Sequence, residues 1–313
     1  MKPMQQPLVS IFMPCFNQEQ YIAAAIDSVL AQDYEHIELV VGDDHSTDGT
    51  WAIVQRYEQA HPERVKAARN ARNLGITRNC NALLARCTGK YVAFHAGDDL
   101  YLPGKLRLQV AAMERAGAVL SYHDVAAFDS TTGETIRHWN SGPESRTPIE
   151  GDCAHLARML IEDGTAFMGA LSVMVLRSAL PAYGYDERIR IGSDWMLWID
   201  VCAQNSGPVI FVPGTHVRYR RHAESVSMKP MNFFDDEMVV LALAEARYPQ
   251  HVSAIDKARM RLRYRAATHY LRQGDVRIAR GLLLRCLRHR EVGWKAGVRL
   301  LASLFGSRPA RAG

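Results

Sequence analysis

Useful cysteine arrangements are missing from this chain. The six cysteines, at 15, 80, 87, 153, 202 and 286, form no CxxC pair and match no zinc-ligand spacing. That excludes a cysteine-built zinc site and leaves a reduced, cytoplasmic protein as the expectation. Long apolar runs are missing too: the longest, Ala166 to Leu176, is well short of the ~18 residues of a membrane span. The opening Met-Lys-Pro-Met-Gln-Gln-Pro has no apolar signal core. Neither a Walker A pattern nor GxGxxG occurs, which argues against an NTPase or a dinucleotide enzyme.

What is present is an ordinary globular composition, 48% apolar and 23% charged over 313 residues. That length fits one large domain, or a catalytic domain with an appendage. The net charge of +5 is too small to argue for nucleic acid, but it is unevenly spread. From His251 to Gly313 there are 15 Lys and Arg against three acids, a net +12, so the rest of the chain carries −7.

Short β-rich runs alternate with helical patterns through the first 125 residues. Strands are expected at Leu8–Met13, Ile37–Val41, Val65–Ala68, Tyr91–His95 and Val119–Tyr122, with helices over about 19–31, 50–60, 77–86 and 103–115. The alternation implies βαβ units and a mostly parallel sheet. Residues 130–151, rich in Thr, Ser, Gly and Pro, read as a long surface loop. Gly169–Leu176 and Pro208–Val212 read as further strands, Ser193–Ala203 as a helix, and Phe233–Ala246 as another. The tail reads as a helical hairpin broken at Gly274-Asp275, then a stretch placing Trp294, Val298, Leu301 and Phe305 on one side. Asp275 suits an N-cap.

Ligands of open parallel sheets bind beyond the carboxyl ends of the strands. Three polar clusters fall there: Pro14-Cys15-Phe16-Asn17, Gly42-Asp43-Asp44-His45-Ser46 and Ala96-Gly97-Asp98-Asp99. Adjacent carboxylates on one rim repel, so they call for a cation or a donor-rich ligand. Asp98 and Asp99 suit a hard divalent ion whose shell phosphates and waters complete. The plainer alternative is that acids after strands merely cap the next helix.

These clusters resemble glycosyltransferase family 2. The match runs through Val9-Ser10-Ile11-Phe12-Met13-Pro14-Cys15-Phe16-Asn17, Glu38-Leu39-Val40-Val41-Gly42-Asp43-Asp44-His45-Ser46-Thr47-Asp48-Gly49, Asn73-Leu74-Gly75, Gly97-Asp98-Asp99, Ser193-Asp194-Trp195 and Tyr219-Arg220-Arg221-His222. It covers about Pro7 to Ser227. The resemblance implies a GT-A-type α/β fold, here over residues 1–230 with a basic helical appendage at 231–313. It also implies inverting transfer from a nucleotide-diphospho-sugar, UDP-linked, with Mn²⁺ or Mg²⁺. Pro14, Asn17 and Glu19 would belong to the nucleotide pocket, and Asp44 would accept from a pyrimidine N3–H with Asp43 supporting it. Arg78 would lie near the diphosphate or the pocket floor; Asp98, with Asp99 beside it, would hold the metal, and His222 would reach the metal or the diphosphate; Asp194 would be the general base. Ser193 and Trp195 would face the acceptor, a glycan or lipid-linked hydroxyl, in bacterial surface polysaccharide or glycoconjugate assembly. Two positions depart from the family's pattern: Ala96 stands two residues before Asp98 where an acid is common, and Ser193 stands where Glu often precedes the base.

Other residues carry two readings each. His45 and His95 flank the rim and either touch ligand or serve structure; Trp195 and Trp198 either stack on sugar or fill the core. Cys15 reads as a small pocket filler. Two other function classes compete: a sugar nucleotidyltransferase, which normally shows a Gly-rich basic loop after the first strand, and a non-catalytic scaffold on a degenerate transferase fold. The basic tail is either a solvated hairpin or a peripheral attachment to an anionic inner membrane face, with nucleic acid disfavoured by the acidic body.

Overall fold

The computed structural model describes residues 6–142, 145–223, 225 and 234–304. Its elements run β1 (Val9–Cys15), α1 (Ile22–Leu30), β2 (Ile37–Asp43), α2 (Thr50–Ala60), β3 (Val65–Arg69), α3 (Ile76–Leu84), β4 (Tyr91–Phe94), β5 (Leu100–Tyr101) and α4 (Lys105–Ala116). Then follow β6 (Leu120–Asp129), β7 (Thr135–His138), β8 (Gly151–Asp152), α5 (Cys153–Asp163), β9 (Met174–Leu176), α6 (Ser193–Gln204) and β10 (Pro208–Arg221). The remaining helices are α7 (Phe234–Arg247), α8 (Val252–Gln273), α9 (Val276–Cys286) and α10 (Gly293–Leu304).

One sheet has the order β3-β2-β1-β4-β9-β6-β10-β5. β1 pairs in parallel with β2 and β4, β2 with β3, and β6 with β10. The three-residue β9 is wedged antiparallel between β4 and β6, so the long strands on both sides of it run the same way. Their carboxyl ends therefore share one rim. Val9, Ile11 and Met13 of β1 and Leu39 and Val41 of β2 are fully buried against Ile22, Ile26 and Val29 of α1. β1 and β2 read as near-continuous apolar runs because helices cover both faces of such a sheet.

Four expectations need correction. Residues 130–151 are not one loop: β7 folds back on β6, and Tyr122 Oη donates to the Ile149 carbonyl at 2.9 Å. The helix α5 went unread, although Asp152 caps it by accepting from His155 N–H at 2.7 Å and Leu156, Leu160 and Ile161 form its buried side. Gly169–Leu176 is a strand only from Met174; Ala170–Ser172 is a 3₁₀ turn. Asp275 precedes α9, but its side chain makes no capping bond. Gly274 does end α8 as expected, with φ 89°, a conformation that favours glycine.

The chain separates into two compact units, Met1–Leu160 with Gly164–Met228, and Ile161–Asp163 with Lys229–Gly313. The boundary expected at 230/231, the start of the expected helix at Phe233, and Phe305 lie outside the described residues. In the second unit Ala267, Leu283, Cys286, Val292 and Ala296 form a small core. No helix among the described residues is long and apolar enough to cross a membrane.

Candidate active site

The site is assembled around the end of β1. The Cys15 carbonyl accepts from Asp44 N–H at 2.9 Å, and Pro14 O accepts from Gly97 N–H at 3.2 Å. A Cβ on Gly97 would run into Cys15 Cβ and Gln18 Oε1, so only glycine lets this loop close on β1. Two polar loops thus meet at the one strand end between them. Cys15 is buried here and is, as expected, a filler; burial and the Asp43, Asp48 and Asp44 charges push its thiol pKa up.

Asp43 and Asp44 do different work. Asp43, fully buried, pairs with Arg69 at 3.0 Å and accepts from Ser46 N–H at 3.1 Å, which folds the loop after β2. Asp44 reaches the next connection: Oδ1 accepts from Asn70 Nδ2 and from Leu74 N–H at 2.8 Å, and Oδ2 from Gly75 N–H at 2.9 Å. Asn17, at φ 50°, accepts from Thr47 N–H through Oδ1 at 2.9 Å. Glu19 accepts from Gly49 N–H at 2.6 Å. The side chains of Asn17 and Glu19 therefore hold the 43–50 loop, and Glu19 steadies the start of α2.

On the opposite side of β1, Asp98 Oδ2 lies 3.0 Å from His222 Nε2. The two residues, which the family resemblance groups, meet because β10 returns beside β5. Arg220 locks it: its N–H donates to Asp99 Oδ1 at 2.8 Å and its Nε to the Asp98 carbonyl at 2.7 Å. Arg220 also lies over the Tyr21 ring, and Tyr21 in turn sits 4.9 Å from the His222 ring. Neither Arg220 nor Tyr21 was singled out from sequence. Arg220 lies near the end of β10 and His222 just past it. Asp99 is buried, and burial together with the Asp98 charge raises its pKa well above the usual range. Asp99 thus braces the loop, while the Asp98 and His222 side chains stay 17% and 12% exposed. Among the described residues no group of three His, Cys, Asp or Glu is arranged to hold a metal. The buried Gln18 Oε1, beside Gly97, has no hydrogen-bond partner.

Asp194 stands in the first turn of α6. α3 fixes that turn: Thr77 Oγ1 donates to the Ile189 carbonyl at 2.7 Å and lies 3.2 Å from Ser193 Oγ. α3 also reaches β2, since Asn79 Nδ2 donates to Gly42 O at 3.1 Å and Leu83 fills the space a Cβ at Gly42 would need. Cys80, buried on α3, feels both Asp194 and Asp44, which add to burial in raising its thiol pKa. Burial holds the Asp194 carboxyl above the usual carboxylate range, against the backbone N–H groups that lower it. Arg78, on the same helix, is half exposed and paired with Glu187 at 3.0 Å.

Ser193 and Trp195, expected to face the acceptor, are both buried in the fold. Ser193 is buried against Thr77. Trp195 is buried and donates from Nε1 to the Leu160 carbonyl at 2.7 Å, so packing takes both its apolar body and its polar tip. Trp198 is fully buried edge-on to Phe94, the core alternative considered for it. Trp195→Ala is expected to destabilise the fold by about 3–5 kcal/mol, read as a lower midpoint in urea unfolding. His95 is also in the core, 4.2 Å from the Tyr101 ring, and desolvation lowers its pKa to about 3. His45, at φ 63°, is exposed beside the Asn70 carbonyl.

With this geometry in place the comparisons decide the family. The glycosyl transferase family 2 profile matches residues 10–179, over half of the chain. The chain belongs to glycosyl transferase family 2. Among its relatives, a Bacillus subtilis protein named as the glycosyltransferase EpsE is 39% identical over 109 residues, which is 35% of this chain and 39% of that one. The chain thus matches well under half the length of EpsE. Escherichia coli WfgD, named a UDP-Glc:alpha-D-GlcNAc-diphosphoundecaprenol beta-1,3-glucosyltransferase, is 27% identical over 72% of this chain and 81% of its own. The fold is that of the GT-A transferases: Staphylococcus aureus TarS 1–349, solved with UDP-GlcNAc, superposes with a TM-score of 0.65 at 16% identity over 94% of this chain and 88% of that one. The Pyrobaculum calidifontis mannosyltransferase PcManGT, solved with GDP-Man and Mn²⁺, gives 0.57 at 17% identity over 98% and 83%.

Proposed function

We propose that this family 2 chain is an inverting glycosyltransferase. It moves a sugar from a UDP-linked donor to a hydroxyl on a lipid-linked or glycan acceptor, in the assembly of a bacterial surface polysaccharide. The observation that carries the reading is the Asp98–His222 pair, 3.0 Å apart on the strand-end rim that also bears the Asp44 loop. Residues 1–230 form the transferase part and 231–313 the basic appendage.

Asp98 and His222 fit a divalent ion such as Mn²⁺ or Mg²⁺. An oxygen and an imidazole nitrogen make a partial ligand set that diphosphate oxygens and water complete. That ion, when bound, offsets the charge that builds on the leaving diphosphate. The chain's own groups do the rest. Asp44 Oδ2 accepts one N–H within the protein, leaving an acceptor site for the base N3–H. Pro14 and the Asn17 turn wall the pocket. Arg78, exposed and paired with Glu187, serves the diphosphate by exchanging Glu187 for it. Asp194 takes the proton of the acceptor hydroxyl, on the face opposite the leaving group. Donor names among the relatives and solved neighbours favour uridine, with WfgD named for UDP-Glc and TarS solved with UDP-GlcNAc.

Thermal-shift and calorimetric titration with UDP, GDP and CDP, each with and without Mn²⁺, tests this. UDP is expected to bind most tightly and only weakly without the ion. A panel of UDP-sugars should then give donor hydrolysis, with NMR reporting the opposite anomer in product. Binding of none of the nucleotides, or a retained anomer, would falsify the proposal.

A further inference from the structure

The last helices expose apolar surface that the core of their own unit does not use. α10 has two apolar faces. Ala296 is buried and Leu300 packs beside it against a cluster that includes Ala267, Leu283 and Cys286. Trp294, Val298 and Leu301, at i, i+4 and i+7, form the other face, and with Leu304 they are 58% to 68% exposed. Leu287, just past α9, is 40% exposed and lies where a Cβ added to Gly297 would come within 3.7 Å of it. The apolar surface therefore runs from α10 onto the end of α9. Soluble proteins rarely leave such a cluster in water without a use for it.

The charge around this surface is of one sign. From Val276 to Leu304 there are seven Lys and Arg and one acid, Glu291. Glu291 is already engaged by Lys257 at 2.9 Å and Arg261 at 2.9 Å. Lys295 lies over the Trp294 ring. Arg299 follows Val298 on α10 and lines, with Arg265, His269 and Arg272, a cavity of about 480 Å³ in the same unit.

Apolar stripe and surrounding cations together select the occupant. A second copy would press one strongly basic face against another. A nucleic acid would take up the charge but leave Trp294, Val298 and Leu301 in water. An anionic bilayer satisfies both, with headgroup phosphates for the cations and the acyl boundary for the stripe.

We propose that the α9–α10 face docks this protein peripherally on an anionic lipid bilayer. Trp294, Val298, Leu301 and Leu304 enter the headgroup–acyl boundary, and Arg288, Lys295 and their basic neighbours lie along the headgroups. The inference stands apart from the proposed reaction, since it uses no residue of the rim.

The test is flotation of the full chain with vesicles of phosphatidylcholine alone, or of phosphatidylcholine mixed with phosphatidylglycerol. Binding is expected on the mixed vesicles, weakening with added salt and nearly absent on the neutral ones. Two exposed double variants, Trp294→Ser with Leu301→Ser and Arg288→Glu with Lys295→Glu, should each weaken it at least about tenfold with an unchanged melting temperature. Equal binding by the Trp294/Leu301 variant, equal binding to neutral vesicles, or no vesicle binding by the full chain overturns the proposal. So does light scattering that shows a dimer which the Trp294/Leu301 variant dissociates, because a second copy would then cover the face.

Discussion

Replacing Asp194 by Asn lowers turnover by roughly 10²–10⁴-fold, the usual cost of losing a positioned base, and leaves donor binding intact. The substitution is nearly isosteric, so the first turn of α6 keeps its shape while losing its proton acceptor. The pH profile supplies a second readout. Burial raises the Asp194 pKa above the ordinary carboxylate value. A base works only when deprotonated, so kcat/KM rises with pH through that raised pKa and falls away below it. This acid limb lies higher than an exposed aspartate would place it and vanishes in the Asn variant. Stability moves the other way. The folded state holds this proton more tightly than the unfolded chain, so the ionised carboxylate costs stability at neutral pH and the cost disappears as pH falls. Asp194→Asn is therefore expected to melt no lower than the parent at pH 7. Full turnover in the variant, with an unchanged acid limb, rejects the base role. A large fall in melting temperature would show instead that the carboxylate is structural.

Asp98→Ala is expected to remove the metal-dependent part of UDP affinity and to cut turnover by roughly 10²–10³, the scale for losing one charge-stabilising group at a reacting centre. It also strips His222 of its partner at 3.0 Å. His222→Ala should give a smaller loss of the same kind, because Asp98 keeps its loop through Arg220. Calorimetry of UDP with and without Mn²⁺ checks this. A metal effect that survives Asp98→Ala assigns the ion to other residues and leaves the pair a structural contact. Asp99→Ala should differ in kind: it frees the Arg220 N–H and leaves a buried gap, so lower stability accompanies its loss of activity.

Legibility followed the range of the interactions. Strand and helix periodicity along residues 9–116 is local, and the elements formed within a few residues of where the pattern put them. The strand-end position of Asp44 and Asp98 came from the same alternation, because a parallel sheet sends its carboxyl ends to one rim. The helix α5 was missed just past the stretch 130–151, whose Gly, Ser and Thr content reads as loop right up to the capping Asp152. The packing of Trp195 was not legible because its neighbour in sequence is a carboxylate, whereas its neighbour in space is the Leu160 carbonyl, 35 positions away.

By itself the sequence determined the α/β alternation, the family motifs and the separation of charge between an acidic body and a basic tail. Each of these is written in adjacent residues or in a count. Only the tertiary structure decided that His222 pairs with Asp98 while Asp99 accepts from the Arg220 N–H, that Asn17 and Glu19 each accept a bond from the 43–50 loop, and that one face of α10 is left exposed. Those outcomes depend on which strand returns beside which, and on which polar groups already have partners. Chain neighbours do not carry that information; it appears when the sheet closes and the hydrogen-bonding capacity of each side chain is taken up.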